Sequence, residues 1–144
     1  KEINDRFGHE AGDASLVLMA AELGRAVSGA SAVCGARAAS GASAVSGEGT
    51  AVRYMGNELA VIYSGLGRAA ALSAAKAIQE RLGALDLSGI GAEAGLHFSM
   101  SIGIVLSPEH GSDAEALIKL AAGLPLVGRV RGGSLILFPE DDQQ

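Results

Sequence analysis

The middle of the chain reads Thr50-Ala51-Val52-Arg53-Tyr54-Met55-Gly56-Asn57-Glu58-Leu59-Ala60-Val61-Ile62-Tyr63. Residues 50–54 and 59–63 are rich in β-branched, aromatic and aliphatic side chains, which suit extended strands. Gly56 and Asn57 lie between the two runs, and both residue types tolerate the backbone conformations of a tight turn. The segment therefore predicts a β-hairpin.

An amphipathic helix is predicted before this hairpin, starting after Gly12. Its apolar residues recur at three- and four-residue steps, which places them on one buried face. They are Leu16, Met19, Leu23 and Val27. Asp13 stands where an N-cap or a first-turn acid is expected. The helix is expected to end near residue 28.

Four further elements are predicted after the hairpin, in the order helix, strand, helix, strand. They span residues 68–82, 96–106, 113–127 and 134–138. Pro125 is expected to end or kink the second of these helices. With one strand placed in front, the order becomes βαββαβ with additions. This order predicts an α/β (α+β) sandwich of the ferredoxin-like kind around a central antiparallel sheet.

Composition narrows the function classes. The 144 residues carry a formal charge of −5, and the eleven Lys and Arg are scattered, which argues against a nucleic-acid surface. Cys34 is the only cysteine, which suits a reducing cytoplasm. No apolar run is long enough for a membrane span, so no direct membrane contact is expected. Residues 28–49 are low in complexity and repeat the segment Ser28–Val33 at Ser40–Val45, which predicts a surface loop.

Two segments carry a resemblance to a known family. The chain opens Lys1-Glu2-Ile3-Asn4-Asp5-Arg6-Phe7-Gly8-His9-Glu10-Ala11-Gly12-Asp13, and the hairpin contains Arg53-Tyr54-Met55-Gly56-Asn57-Glu58-Leu59. The chain resembles GGDEF domains, the diguanylate cyclase family, over nearly its whole length. The resemblance implies a single nucleotidyl-cyclase-like domain over residues 1–144 and a role in bacterial cyclic di-GMP signalling. In that family two chains face each other, each holding one GTP with magnesium.

The resemblance implies a guanine pocket formed by Asn4 and Asp13, and a phosphate contact by Lys1. A carboxylate accepts from the ring imino group and the exocyclic amine of guanine together, while an amide offers both a donor and an acceptor. The alternative is structural, with Asp13 capping its helix and Asn4 shaping a turn. The family's first strand and one acidic metal ligand would lie upstream of Lys1, and we expect the native polypeptide to continue there.

The metal and phosphate half of the resembling site departs from the family. Met55 stands at the first signature glycine and Asn57 at a metal-binding carboxylate, while Gly56 and Glu58 are retained and Leu59 replaces an aromatic residue. Magnesium prefers carboxylates and phosphates, so Asn57 and Glu58 would form a weak metal site at best. Toward the C-terminus Arg129 could replace a phosphate-binding Lys, whereas Gly133 replaces an Arg. Residues 46–49, Ser-Gly-Glu-Gly, leave no product-binding Arg-x-x-Asp.

Three functions remain open from the sequence. The favoured one is a catalytically inactive regulatory module that binds GTP, or that forms a homodimer or a complex with another signalling domain. The second is an active diguanylate cyclase, in which Glu58 and the upstream acid hold the metal. The third is a different nucleotide-handling activity on the same fold. Asn57 discriminates between the first two.

Overall fold

The computed structural model describes residues 2–27, 49–90 and 97–143 of the chain. Lys1, the repeated segment up to residue 48, Cys34 and residues 46–48 of the product-site position therefore lie outside the described residues. The chain divides into two compact units. The first comprises Lys1–Gly65 with Ala84–Phe98, and the second Leu66–Gly83 with Ser99–Gln144. No helix within the described ranges is both long and apolar enough to cross a membrane.

The first unit opens with two consecutive helices, α1 (Glu2–Phe7) and α2 (His9–Val27). Gly8 separates them with a positive φ of 88°, a conformation that costs a glycine little. The Gly8 amide donates to the Asn4 carbonyl at 3.0 Å and so completes the end of α1. Leu23 and Val27 are buried on the inner face of α2, as the periodicity predicts.

The first unit also contains a β-hairpin and, among its described residues, a 3₁₀ helix at Ser88–Ile90. It consists of β1 (Gly49–Met55) and β2 (Glu58–Tyr63), which pair antiparallel, with Ala51 opposite Val61. An irregularity in the register falls between Arg53 and Met55, next to the turn. Gly56 takes the positive φ of the turn, 53°. The predicted hairpin is confirmed.

The second unit contains α3 (Arg68–Gly83), β3 (Ile102–Gly103), α4 (Ala114–Val130), β4 (Ile136–Leu137) and a 3₁₀ helix at Pro139–Gln143. The two short strands pair parallel. Its core forms around three buried side chains, those of Ala75, Ile104 and Phe138. The mixture of helices with a small antiparallel sheet confirms the predicted α+β class.

Helix α4 packs closely on β3 and β4 because two glycines leave room for it. A Cβ on Gly103 would lie 2.7 Å from the Ala121 carbonyl oxygen and from the Leu124 Cβ. A Cβ on Gly128 would lie 2.6 Å from the Ser101 hydroxyl oxygen. Asp113 caps the helix, and its carboxylate accepts from the Ala116 amide at 2.8 Å.

Several local predictions were wrong. The opening phrase is helical, so α2 begins at His9 and Asp13 is neither its N-cap nor in its first turn, where Glu10 is the acid. Asn4 lies within α1 and not in a turn. Helix α4 continues past Pro125 to Val130. The strands predicted at 96–106 and 134–138 are reduced to two residues each among the described residues.

Candidate functional site

A cavity of about 250 Å³ lies in the first unit, between α2 and the hairpin. Its lining combines one acidic and one basic side chain with small and aliphatic ones. The lining residues are Asp13, Leu16, Val17, Ala20, Arg53 and Leu59. The volume is slightly below the roughly 300–1,000 Å³ of typical small-molecule pockets. A ligand the size of a nucleobase fits this space better than a whole nucleotide.

Asp13 supplies the only carboxylate of this lining, and its side chain is exposed. It is the fifth residue of the helix, so its carboxylate does not cap the helix N-terminus. Among the described residues, no group forms a hydrogen bond or ion pair with this carboxylate. The structural role considered from the sequence is therefore excluded, and the carboxylate is free to accept hydrogen bonds from a ligand.

The Asn4 side chain packs directly against α2 because Gly12 has no side chain to exclude it. A Cβ at Gly12 would overlap the Asn4 Oδ1 atom and lie 2.6 Å from its Cγ. Gly12 directly precedes Asp13 in α2, so Asn4 contacts the helix one residue before the other predicted guanine-reading residue. Asn4 itself is half-buried and does not line the cavity.

The turn of the hairpin is fixed by Arg53, whose role the sequence reasoning missed. The Arg53 guanidinium donates two hydrogen bonds to the Gly56 carbonyl, from Nε at 3.0 Å and from Nη2 at 2.8 Å. A planar guanidinium is suited to such two-point contacts. The sequence signal was an Arg three residues before the turn glycine, but only the geometry shows which atom it binds.

The signature residues around this turn are all at the surface except Leu59, which is half-buried and lines the cavity. Met55 is 63% exposed, and Asn57 and Glu58 are also exposed. Glu58 is thus the one carboxylate of the turn, whereas magnesium in proteins is held by carboxylates together with phosphates. Asn57 and Glu58 alone do not fit a magnesium site.

Arg129, one of the two residues predicted to contact phosphate, does not line the cavity. Arg129 is exposed in the last turn of α4, in the second unit. Gly133 follows the helix in a positive-φ conformation at 76°, which a side chain at this position would strain. Lys1 lies outside the described residues. The structure therefore places Arg129 on a regular helix, and the phosphate contacts of Lys1 and Arg129 stay predictions.

One group of potential metal ligands occurs among the described residues, in the second unit, formed by Glu109, His110 and Glu140. The Leu106 amide donates to His110 Nδ1 at 2.8 Å, so the ring proton resides on Nε2. Nε2 then donates to Glu140 at 3.0 Å and has no lone pair for a metal. The close His110–Glu140 contact is accordingly a hydrogen bond of a neutral imidazole.

Arg68 supplies the positive charge of this cluster. Its guanidinium contacts Glu109 at 2.5 Å and Glu140 at 3.1 Å and lies over the Phe138 ring, 3.9 Å from the centroid. The hydrogen bond from Arg68 lowers the pKa of Glu140 to about 2. The cluster joins α3 to the 3₁₀ helix after β4 through the Arg68–Glu140 ion pair.

Comparison with known proteins identifies the family. Residues 38–123 match the family model described as diguanylate cyclase, GGDEF domain. The matched region is more than half of the 144 residues and includes the hairpin with its turn, whereas Asn4 and Asp13 lie outside it. Neither a curated protein nor a solved structure gives a match. The chain belongs to the GGDEF domain family of diguanylate cyclases, whose members serve cyclic di-GMP signalling.

Proposed function

We propose that this GGDEF domain binds a guanine nucleotide in its first unit and regulates cyclic di-GMP signalling without synthesising cyclic di-GMP. The observation that carries the proposal is the composition of the turn. Met55 and Asn57 occupy two of its positions, and Glu58 is left as its only carboxylate. A cyclase must neutralise charge on two triphosphates, and one carboxylate with an amide supplies little of that charge.

The expected loss of rate is large. Removing one group that stabilises charge in a transition state costs a few kcal/mol, on the order of 10² to 10³ in rate. Asn57 removes such a charge, and Met55 adds a side chain where backbone should approach the phosphates. If the two effects are independent, turnover falls by roughly 10⁴ or more.

Asp13, on the α2 side of the cavity, supports the binding of a guanine base. Asp13 lines a space of about 250 Å³ and lacks an internal partner among the described residues. A carboxylate paired with the two adjacent donors of guanine gains charge-assisted hydrogen bonds, whereas adenine offers no matching pair of donors. The domain is therefore expected to prefer GTP to ATP, with a modest effect of magnesium.

The catalytic half of the proposal is tested with the full natural polypeptide. Incubation with GTP and magnesium, or manganese, should give no cyclic di-GMP above background by chromatography. The variant Met55→Gly with Asn57→Asp should recover little activity unless Gly133→Arg is added. Because Gly133 has a positive φ of 76°, folding of the triple variant is verified by circular dichroism before its activity is compared. Robust turnover by the unaltered protein would establish the second function, an active cyclase that uses Glu58.

The binding half is tested by calorimetry with GTP and ATP. Asp13→Asn should abolish the preference for GTP, because an amide cannot accept both guanine donors. The expected loss is tenfold to a hundredfold, from about 1.5–3 kcal/mol for hydrogen bonds to a charged group. Asp5→Asn removes an equally exposed carboxylate of α1 and serves as the control. Equal affinity for both nucleotides would refute base recognition by Asp13.

A further inference from the structure

Two side chains of opposite charge line the cavity of the first unit from its two sides. Asp13 belongs to α2, whereas Arg53 belongs to β1, where it pairs with Leu59 across the hairpin. Both charged residues line the cavity, yet among the described residues they form no ion pair with each other. A ligand between them can therefore offer donors to the carboxylate and acceptors to the guanidinium.

The guanidinium of Arg53 has one edge occupied and one edge available. An arginine side chain carries five N–H donors in a planar fork. On Arg53, Nε and Nη2 form one edge, and both donate to the Gly56 carbonyl. Nothing else within the described ranges accepts a hydrogen bond from this side chain. The edge formed by Nη1 and Nη2 therefore keeps two adjacent donors for a ligand.

Guanine offers the acceptors that match this edge. Its N7 and O6 atoms lie side by side, apart from the ring imino and exocyclic amine donors, and a bidentate arginine on N7 and O6 is a common base-specific contact. Adenine instead places an amine donor beside N7, so donor would face donor. The aliphatic lining residues Leu16, Val17 and Leu59 suit the apolar faces of a planar base.

We propose that Arg53 is a second base-reading residue, whose Nη1–Nη2 edge binds N7 and O6 of guanine while Asp13 binds the two donors. The inference rests on the proposed function, because it requires a guanine nucleotide in this cavity. It adds the hairpin to a base site that the sequence placed on residues of α1 and α2 alone. Arg53 then holds the turn through Gly56 and selects the base with the same planar group.

Nucleotide analogues test this contact without changing the protein. In 7-deaza-GTP a C–H group replaces N7, which removes one acceptor for Arg53 and leaves both donors for Asp13. The full natural polypeptide should bind this analogue about tenfold more weakly than GTP, the usual effect of losing one hydrogen bond to a charged group. Inosine triphosphate lacks the exocyclic amine and therefore probes Asp13 alone. Calorimetry measures all three dissociation constants.

Two variants assign each analogue to its residue. Arg53→Ala should weaken GTP binding about tenfold or more, and should bind 7-deaza-GTP within about twofold of GTP. Its preference for GTP over inosine triphosphate should stay unchanged. Asp13→Asn should show the reverse pattern. Arg25→Ala removes the same side chain from the end of α2, outside the cavity lining, and should change none of the three affinities.

Each further outcome overturns a different statement. Equal affinity of the unaltered protein for GTP and 7-deaza-GTP, with a retained preference for GTP over inosine triphosphate, would overturn base reading by Arg53 and leave the proposed function intact. An Arg53→Ala protein that binds both nucleotides more weakly but keeps their ratio would assign Arg53 to phosphate and also overturn the inference. Absence of GTP binding would overturn the inference together with the proposed function. Circular dichroism verifies that Arg53→Ala is folded, and the analogue comparison on the unaltered protein decides the matter if it is not.

Discussion

Gly12→Ala tests whether the junction of α1 and α2 positions Asn4. A Cβ at this position would overlap the Asn4 Oδ1 atom and approach its Cγ to 2.6 Å. The Asn4 amide must therefore rotate away from α2. Gly24→Ala is a matched control, because Gly24 lies in the same helix and a Cβ there would meet no atom within 4 Å.

Two opposing effects set the difference in the free energy of unfolding between the two variants. Replacing glycine by alanine inside a helix stabilises it by about 1 kcal/mol, and both variants share this gain. Overpacking a close contact costs about 1–3 kcal/mol, and this cost falls on Gly12→Ala alone. Gly12→Ala should therefore be about 1–3 kcal/mol less stable than Gly24→Ala, and between about 0 and 2 kcal/mol less stable than the unaltered protein.

Urea unfolding followed by circular dichroism measures this difference, and GTP titration measures its consequence. If Asn4 reads guanine, Gly12→Ala should also weaken GTP binding, whereas Gly24→Ala should not. Equal stabilisation by both substitutions would refute the close contact between Asn4 and α2. Normal GTP affinity in a destabilised Gly12→Ala protein would leave Asn4 with a structural role only.

Three further predictions concern the turn, the acidic cluster and the α4 contact. Arg53→Ala removes the contact to the Gly56 carbonyl and should lower the free energy of unfolding in urea by about 0.5–1.5 kcal/mol, whereas Arg53→Lys should lower it less. The pKa of Glu140 is lowered to about 2, so its contribution to stability is complete above about pH 4.5 and is lost as the pH falls toward 2. In the Glu140→Gln variant, the free energy of unfolding should therefore depend less on pH between about 4.5 and 2. Gly103→Ala should destabilise the protein by about 1–3 kcal/mol, because the Ala121 carbonyl cannot move away without distorting α4; an unchanged melting temperature would contradict this.

Local patterns with a single physical reading were predictable from the sequence. The hairpin follows from two strand-like runs around Gly56, and the observed bounds differ from the predicted ones by about one residue. Helix α3 was predicted at residues 68–82 and spans Arg68–Gly83. In both cases neighbouring side chains decide the backbone conformation, so no knowledge of the tertiary structure is needed.

Predictions that depend on distant partners were less successful. The apolar run at 96–106 suits a strand, but only Ile102–Gly103 has a described partner, at Ile136–Leu137. Pro125 removes one hydrogen bond from α4, yet the helix continues because Leu124 and Gly128 pack on either side of it. Packing on a neighbouring element outweighs a local preference in this helix, and the sequence does not reveal which element will be there.

The backbone of the hairpin turn does not depend on the side chains of Met55 and Asn57. Its backbone is held by the Arg53 guanidinium on the Gly56 carbonyl and by the positive φ of Gly56. Met55 and Asn57 are exposed, and Asn57 makes no hydrogen bond to another described residue. Substitutions at exposed positions usually change stability by less than about 0.5 kcal/mol. Arg53 and Gly56 therefore determine the backbone of the turn, whereas the side chains at positions 55 and 57 contribute little to its stability.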